Sequence, residues 1–132
     1  VGTDSVMNED RLFQIQSEVM RGIAAKEDCI IVGRCADYIL RDEPRLFTVF
    51  ISADIETRLK RIMAGESLSE EEARRYIEQG DRKRSEYYNY YTFKKWGDSS
   101  SYDLCINSSK LGDDLEKVTD LIKYYMKQRN LI

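Results

Sequence analysis

The run Cys29-Ile30-Ile31-Val32, closed by Gly33 and Arg34, constrains this chain more than any other stretch. An apolar run without polar alternation predicts a strand over 28–33 that is buried on both faces, and such strands belong to parallel sheets covered by helices. Open α/β sheets collect their ligand sites at the carboxyl ends of these strands. Gly33 permits a sharp exit there, and Arg34 offers the planar guanidinium fork that suits phosphate oxygens. Arg34 is therefore a candidate anion clamp.

Alternation of helix and strand continues along the chain. Leu12, Ile15, Val19 and Ile23 recur at spacings of three and four, which predicts an amphipathic helix over 9–26. Ala36, Ile39 and Leu40 suit a short helix that ends before Pro44. Leu46-Phe47-Thr48-Val49-Phe50-Ile51 predicts a second buried strand. Ser52 or Asp54 is placed to cap a helix carrying Leu59, Ile62 and Met63 that stops near Ala64-Gly65. Ser67 and Ser69 each precede a glutamate by three residues, the capping-box spacing, and open a long charged helix towards Tyr91 that Gly80 interrupts. Tyr102 to Ile106 predicts a third strand, and Leu115, Val118, Leu121, Ile122 and Tyr125 a closing helix. The order implies an α/β fold, a doubly wound parallel sheet flanked by helices. Three strands are few for such a sheet, so an upstream strand is expected to be missing.

The 132 residues, 42% of them apolar, support one modest core, so a single compact unit over 1–132 is expected. A net charge of −3 gives no general field for nucleic acid or an anionic membrane, so any phosphate recognition must be local. Histidine is absent, which excludes imidazole triads and imidazole metal sites, and no metal site is expected. Cys29, Cys35 and Cys105 have no metal-like spacing, and are expected as reduced core thiols of a cytoplasmic protein. Neither a membrane-length apolar stretch nor a signal peptide is visible.

The charged residues that point to chemistry sit on the two middle helices. Arg58 and Arg61 are three apart and share a helix face, as do Asp81 and Arg84. Guanidiniums so paired suit a phosphorylated ligand, with Asp81 orienting an arginine or receiving a polar group. Gly80 costs a helix about 1 kcal/mol relative to alanine, which suggests a close approach by another element or a ligand. Arg74, Arg75 and Lys83 are expected on a solvated face. The aromatic run from Tyr87 to Trp96 is expected to pack at a helix end rather than to stack on single-stranded nucleic acid.

Together, CIIVGRCADYILRDEPRLFTVFISADIETRLKRIM, DRKRSEYYNYYT and YDLCINSSKLG resemble the C-terminal two-thirds of the cytidylate kinase-like family, among the P-loop nucleoside monophosphate kinases, over roughly residues 8–127. The resemblance implies a three-layer P-loop kinase-like fold, incomplete because its N-terminal strand and P-loop are absent. It implies transfer of the ATP γ-phosphoryl group to a small phosphorylated acceptor such as CMP or another nucleoside monophosphate. ATP and Mg²⁺ are the implied cofactors of the full-length protein, with none bound by this chain. Residue by residue, it implies acceptor binding by Arg34, Gln16, Asp81 and Arg84. Arg58 and Arg61 become phosphate-stabilising arginines bordering a lid at about 64–91, with 64–69 its mobile part. Asn107, Ser108 and Ser109 would lie against the donor adenine.

Two departures stand out. Cys35 occupies the position where true cytidylate kinases carry aspartate, and G-x-x-x-x-G-K-[ST] occurs nowhere in the chain. The phosphate loop is expected upstream of Val1, so this chain alone is expected to be inactive. A kinase-like interaction module without that loop, or a single-stranded nucleic-acid binder, are the alternative functions.

Overall fold

The structure, a computed structural model, describes the backbone from Gly2 to Ile132 and the side chains from Asn8 onward. The backbone divides into two compact units, one ending at Leu46 and the other covering Phe47–Ile132.

The first unit is helical. Helix α1 spans Gly2–Lys26 and α2 spans Ala36–Ile39 and packs against it. Met20, Cys35, Ala36, Ile39 and Leu40 are buried, as is Ser17, whose hydroxyl donates to the Phe13 carbonyl at 2.7 Å. The apolar stripe of α1 is not the covered face the spacing predicts, because Leu12, Ile15, Val19 and Ile23 all remain more than 40% exposed.

The strand expected at 28–33 does not form. Ile30 and Val32 are 96% and 89% exposed, and the segment has neither strand nor helix geometry. A parallel strand satisfies its N–H and C=O groups only through neighbouring strands, and among the described residues no strand pairs with this segment. The sharp exit does occur. Gly33, Arg34 and Cys35 take φ values of 71, 55 and 61°, three left-handed residues in succession, and Ala36 N–H closes the turn on the Gly33 carbonyl at 3.2 Å. Such a conformation costs a non-glycine residue about 1–2 kcal/mol, and burial of Cys35 and Ala36 offsets part of it.

The second unit is a small α/β layer. Strands β1 (Val49–Ser52) and β2 (Leu104–Asn107) pair in parallel, with Val49 opposite Leu104 and Ser52 opposite Asn107. The described residues therefore form a two-stranded sheet rather than three strands, flanked by α3 (Ile55–Glu66), α4 (Glu70–Thr92) and α5 (Leu115–Gln128). Leu59, Ala73 and Ile77 form the buried seam between α3 and α4, with Ile55, Ile62, Met63 and Leu68 around it. Burying a side chain such as Leu59 contributes about 1.5–3 kcal/mol.

Cap chemistry separates the two Ser-x-x-Glu motifs. Ser69 makes both halves of a capping box with Glu72, at 3.2 and 3.1 Å. Ser67 instead closes α3 in a left-handed conformation, φ 54°. Nor does Gly80 interrupt the long helix: α4 runs through it to Thr92. The aromatic run packs as expected, Trp96 and Tyr102 lying 5.3 and 4.9 Å from the Phe50 ring on β1 and Tyr88 within 6.2 Å of Tyr102. Phe47 stacks on Tyr125 of α5 at 4.7 Å.

Only one of the three cysteines is a core thiol. Cys29 lies on the unpaired segment and Cys105 on the uncovered face of β2, and both are exposed. Cys35 is buried, and burial, aided by Asp37 and opposed by Arg34, pushes its thiol up to about 11. At neutral pH a maleimide should modify two thiols per chain quickly and the third at least about tenfold more slowly, since only the thiolate reacts. Three equal rates, followed by mass spectrometry, would contradict this burial.

Candidate functional site

The carboxyl ends of β1 and β2 are tied together by side chains. Asp54 caps α3 by backbone conformation alone, and its carboxylate accepts no bond from the helix N–H groups. It accepts instead from Asn107 Nδ2 at 2.9 Å and pairs with Lys110 at 3.6 Å. Asp54 N–H donates to Ser109 Oγ at 2.8 Å, and that hydroxyl donates to Thr57 Oγ1 at 3.0 Å. The Ser108 hydroxyl lies 3.2 Å from the Ser52 carbonyl and 3.1 Å from the Asp113 carboxylate. Asp113 in turn accepts from Arg61. The side chains of Asn107 and Ser109 thus join the loop after β2 to the first turn of α3, and Ser108 ties it to the end of β1.

One turn along, Arg58 reaches across to α4. Its two Nη atoms donate to the two oxygens of Asp81 at 2.8 and 2.7 Å, the bidentate geometry that makes Arg–carboxylate pairs strong. Arg84, one turn beyond Asp81, adds a third bond at 2.6 Å. The Arg58 hydrogen bonds, helped by Arg84, hold the Asp81 carboxyl below the usual carboxylate range, and the same bonds raise Arg58. Both geometries follow from helical spacing: Leu59 and Ile77 face the seam, which leaves Arg58 and Asp81 at its rim.

A cleft of about 460 Å³ opens between α3 and α4. Ile62 and Ile77 line it together with Arg58, Arg61, Lys83 and Arg84, and Tyr76, Gln79 and Gly80 complete the wall. Four cations therefore meet in one cleft of a chain whose net charge is −3. Asp81 engages Arg58 and Arg84, and Asp113 engages Arg61. Among the described residues Lys83 makes no ion pair. Four cations against two carboxylates leave a surplus that a doubly charged anion would balance, and oppositely charged groups at 4 Å near a protein surface attract by about 4 kcal/mol before desolvation.

Sequence spacing pairs Arg58 with Arg61 and Asp81 with Arg84; the structure joins the two pairs through the Arg58–Asp81 contact and sets Arg61 on the same cleft. Lys83, Tyr76 and Gln79 were not expected there. Their signal was the helical period, since 76, 79/80 and 83 repeat along the face that carries Gly80. In the first unit Arg34 Nε donates to Gln16 Oε1 at 3.1 Å, so two of the four residues implied for acceptor binding are direct neighbours.

Residues 3–110, a span that includes both the Gln16–Arg34 pair and the cleft, match the cytidylate kinase-like family. The chain belongs to that family. It is 36% identical over 105 residues to a cytidylate kinase of Thermococcus sibiricus and 31% identical over 103 residues to one of Methanosarcina barkeri. Each match takes in 76% of this chain but 53% and 56% of the respective relative, so the chain spans about half the length of the curated relatives it matches. A crystal structure of an uncharacterized protein from Eubacterium ventriosum superposes with a TM-score of 0.85 at 37% identity, over 94% of this chain and 77% of that one. The small parallel sheet flanked by helices is compatible with an incomplete kinase-like fold.

Asp81 links stability to pH with a definite sign. Because its folded-state pKa is depressed, its contribution is complete above the ordinary aspartate range and is lost as pH falls through the lowered value. Asp81→Asn should cost about 1 kcal/mol at neutral pH, partial exposure moderating the pair, and should flatten the decline in melting temperature below pH 4. An unchanged acid profile in the variant would contradict the role given to this carboxylate.

Proposed function

We propose that this chain carries the acceptor-binding and lid portion of a cytidylate kinase-like phosphotransferase, which moves the γ-phosphoryl group of ATP to CMP or another nucleoside monophosphate. The convergence of Arg58, Arg61, Lys83 and Arg84 on one cleft carries this reading. Phosphoryl transfer depends on positioning and on neutralising charge spread over phosphate oxygens, and such a cleft supplies both. No general base is required, since the acceptor phosphate is already an anion.

In this reading Arg58 and Arg61 stabilise the transferring phosphoryl group, while Arg84 and Asp81 hold the acceptor. Asp81 keeps Arg58 and Arg84 in place before the ligand arrives, so little ordering cost remains at binding. Arg34, with Gln16 beside it, clamps the acceptor phosphate. The segment of about 64–91, from the last turn of α3 through most of α4, serves as the lid, with 64–69 its mobile part, of which 64–66 end α3 and Ser67–Ser69 link the two helices. Asn107, Ser108 and Ser109 present the loop surface against which the donor base lies.

Mg²⁺ would supply neutralisation of donor-phosphate charge in such a reaction, but the described residues do not form a site for it. Asp81 and Asp113 are both engaged by arginines, and no group of three or more acidic, cysteine or histidine side chains converges among the described residues. The donor phosphates need a G-x-x-x-x-G-K-[ST] loop that this sequence lacks, so the chain by itself transfers no phosphoryl group.

Calorimetric titration with CMP, AMP, UMP and GMP tests the proposal. Binding of at least one monophosphate is expected, weakened about ten- to a hundredfold in Arg34→Ala and in Arg58→Ala, the equivalent of one lost charge-assisted contact. Arg34→Lys should recover only part of the loss, because ammonium lacks the planar fork. Mg-ATP should give little heat. Monophosphate affinities unaffected by either alanine, with melts unchanged, would reject the assignment.

A further inference from the structure

Gly80 precedes Arg84 by four residues in an unbroken helix. A side chain at that spacing leans back towards the helix N-terminus and covers the surface of the earlier residue. A Cβ built on Gly80 would stand 3.1 Å from Arg84 Nη2, 3.3 Å from Nη1 and 3.5 Å from Cζ, so the three nearest atoms beyond the helix's own backbone belong to one guanidinium. That same Nη2 makes the 2.6 Å bond to Asp81, and the Trp96 ring centroid lies 5.9 Å from Cζ. Glycine weakens a helix interior relative to alanine, yet the backbone at Gly80 is ordinary right-handed helix and does not require it. What uses the glycine is the space.

We infer that Gly80 is a positioning residue of the cleft: the absent Cβ is the seat that lets the Arg84 guanidinium lie against α4, where it meets Asp81 and faces a phosphate-class anion. The inference rests on the cleft being the anion site. A methyl at position 80 presses the guanidinium outward by a few tenths of an ångström, and because its partner, the Asp81 oxygen, also receives Arg58 at 2.7 Å, the disturbance bears on two of the four cations.

The experiment is a double-mutant cycle on the full 132-residue chain, with Gly80→Ala, Arg84→Ala and both together. Each is titrated calorimetrically with inorganic pyrophosphate in the absence of metal and melted alongside. Gly80→Ala should weaken pyrophosphate about three- to tenfold while its melting temperature stays level or rises, as helix propensity requires. In the Arg84→Ala background the same substitution should change affinity by less than about twofold. Wild-type affinity in Gly80→Ala, or an equal loss in both backgrounds, overturns the inference. If Gly80→Ala alone behaves as wild type while Arg84→Ala binds weakly, the cleft reading stands and the seat does not. If Arg84→Ala also binds as wild type, both fall.

Discussion

The arrangement of the second unit depends on one carboxylate. Asp81 on α4 receives both arms of Arg58 from α3 and one from Arg84 on its own helix, and so ties the two helices at the rim of the apolar seam of Leu59, Ala73 and Ile77. Without it, like charges at the rim would repel across the seam. With it, two guanidiniums converge on one carboxylate oxygen at defined positions and line an open cleft. Stability and site geometry therefore share one interaction, and a half-exposed ion pair matters here because it fixes direction more than because it contributes energy.

The strands supply the second constraint. Parallel pairing places Ser52 opposite Asn107, which puts the start of α3 and the loop after β2 at the same edge of the sheet. The hydrogen bonds among Asp54, Thr57, Asn107 and Ser109 then set where α3 begins, and through it the heights of Arg58 and Arg61. Residues expected to face a donor base are thus also framework residues.

Much of this was legible from residue spacing. Helical period pairs Arg58 with Arg61 and Asp81 with Arg84, and Ser-x-x-Glu marks the start of α4, because these depend on contacts within one or two turns. Gly80 signals a close approach, and the approaching group proves to be a side chain of its own helix. What failed depends on partners distant in sequence. An apolar run such as 29–32 becomes a strand only beside another strand, and neither burial of Cys105 nor of the α1 stripe can be read without knowing what covers it. Charge-rich helices usually are solvated, which points Lys83 to solvent, although its register with Tyr76 and Gly80 places it on the cleft side.

That phosphate groups enter the cleft between α3 and α4 is the central claim, and amide chemical-shift mapping during titration with inorganic pyrophosphate tests it most directly. Shifts should concentrate at residues 58–62 and 76–84, with the Arg58 and Arg84 side-chain Nε–H signals moving in step. A different result, with shifts gathered instead at the face of β2 and α5 or absent from both helices, would contradict the account.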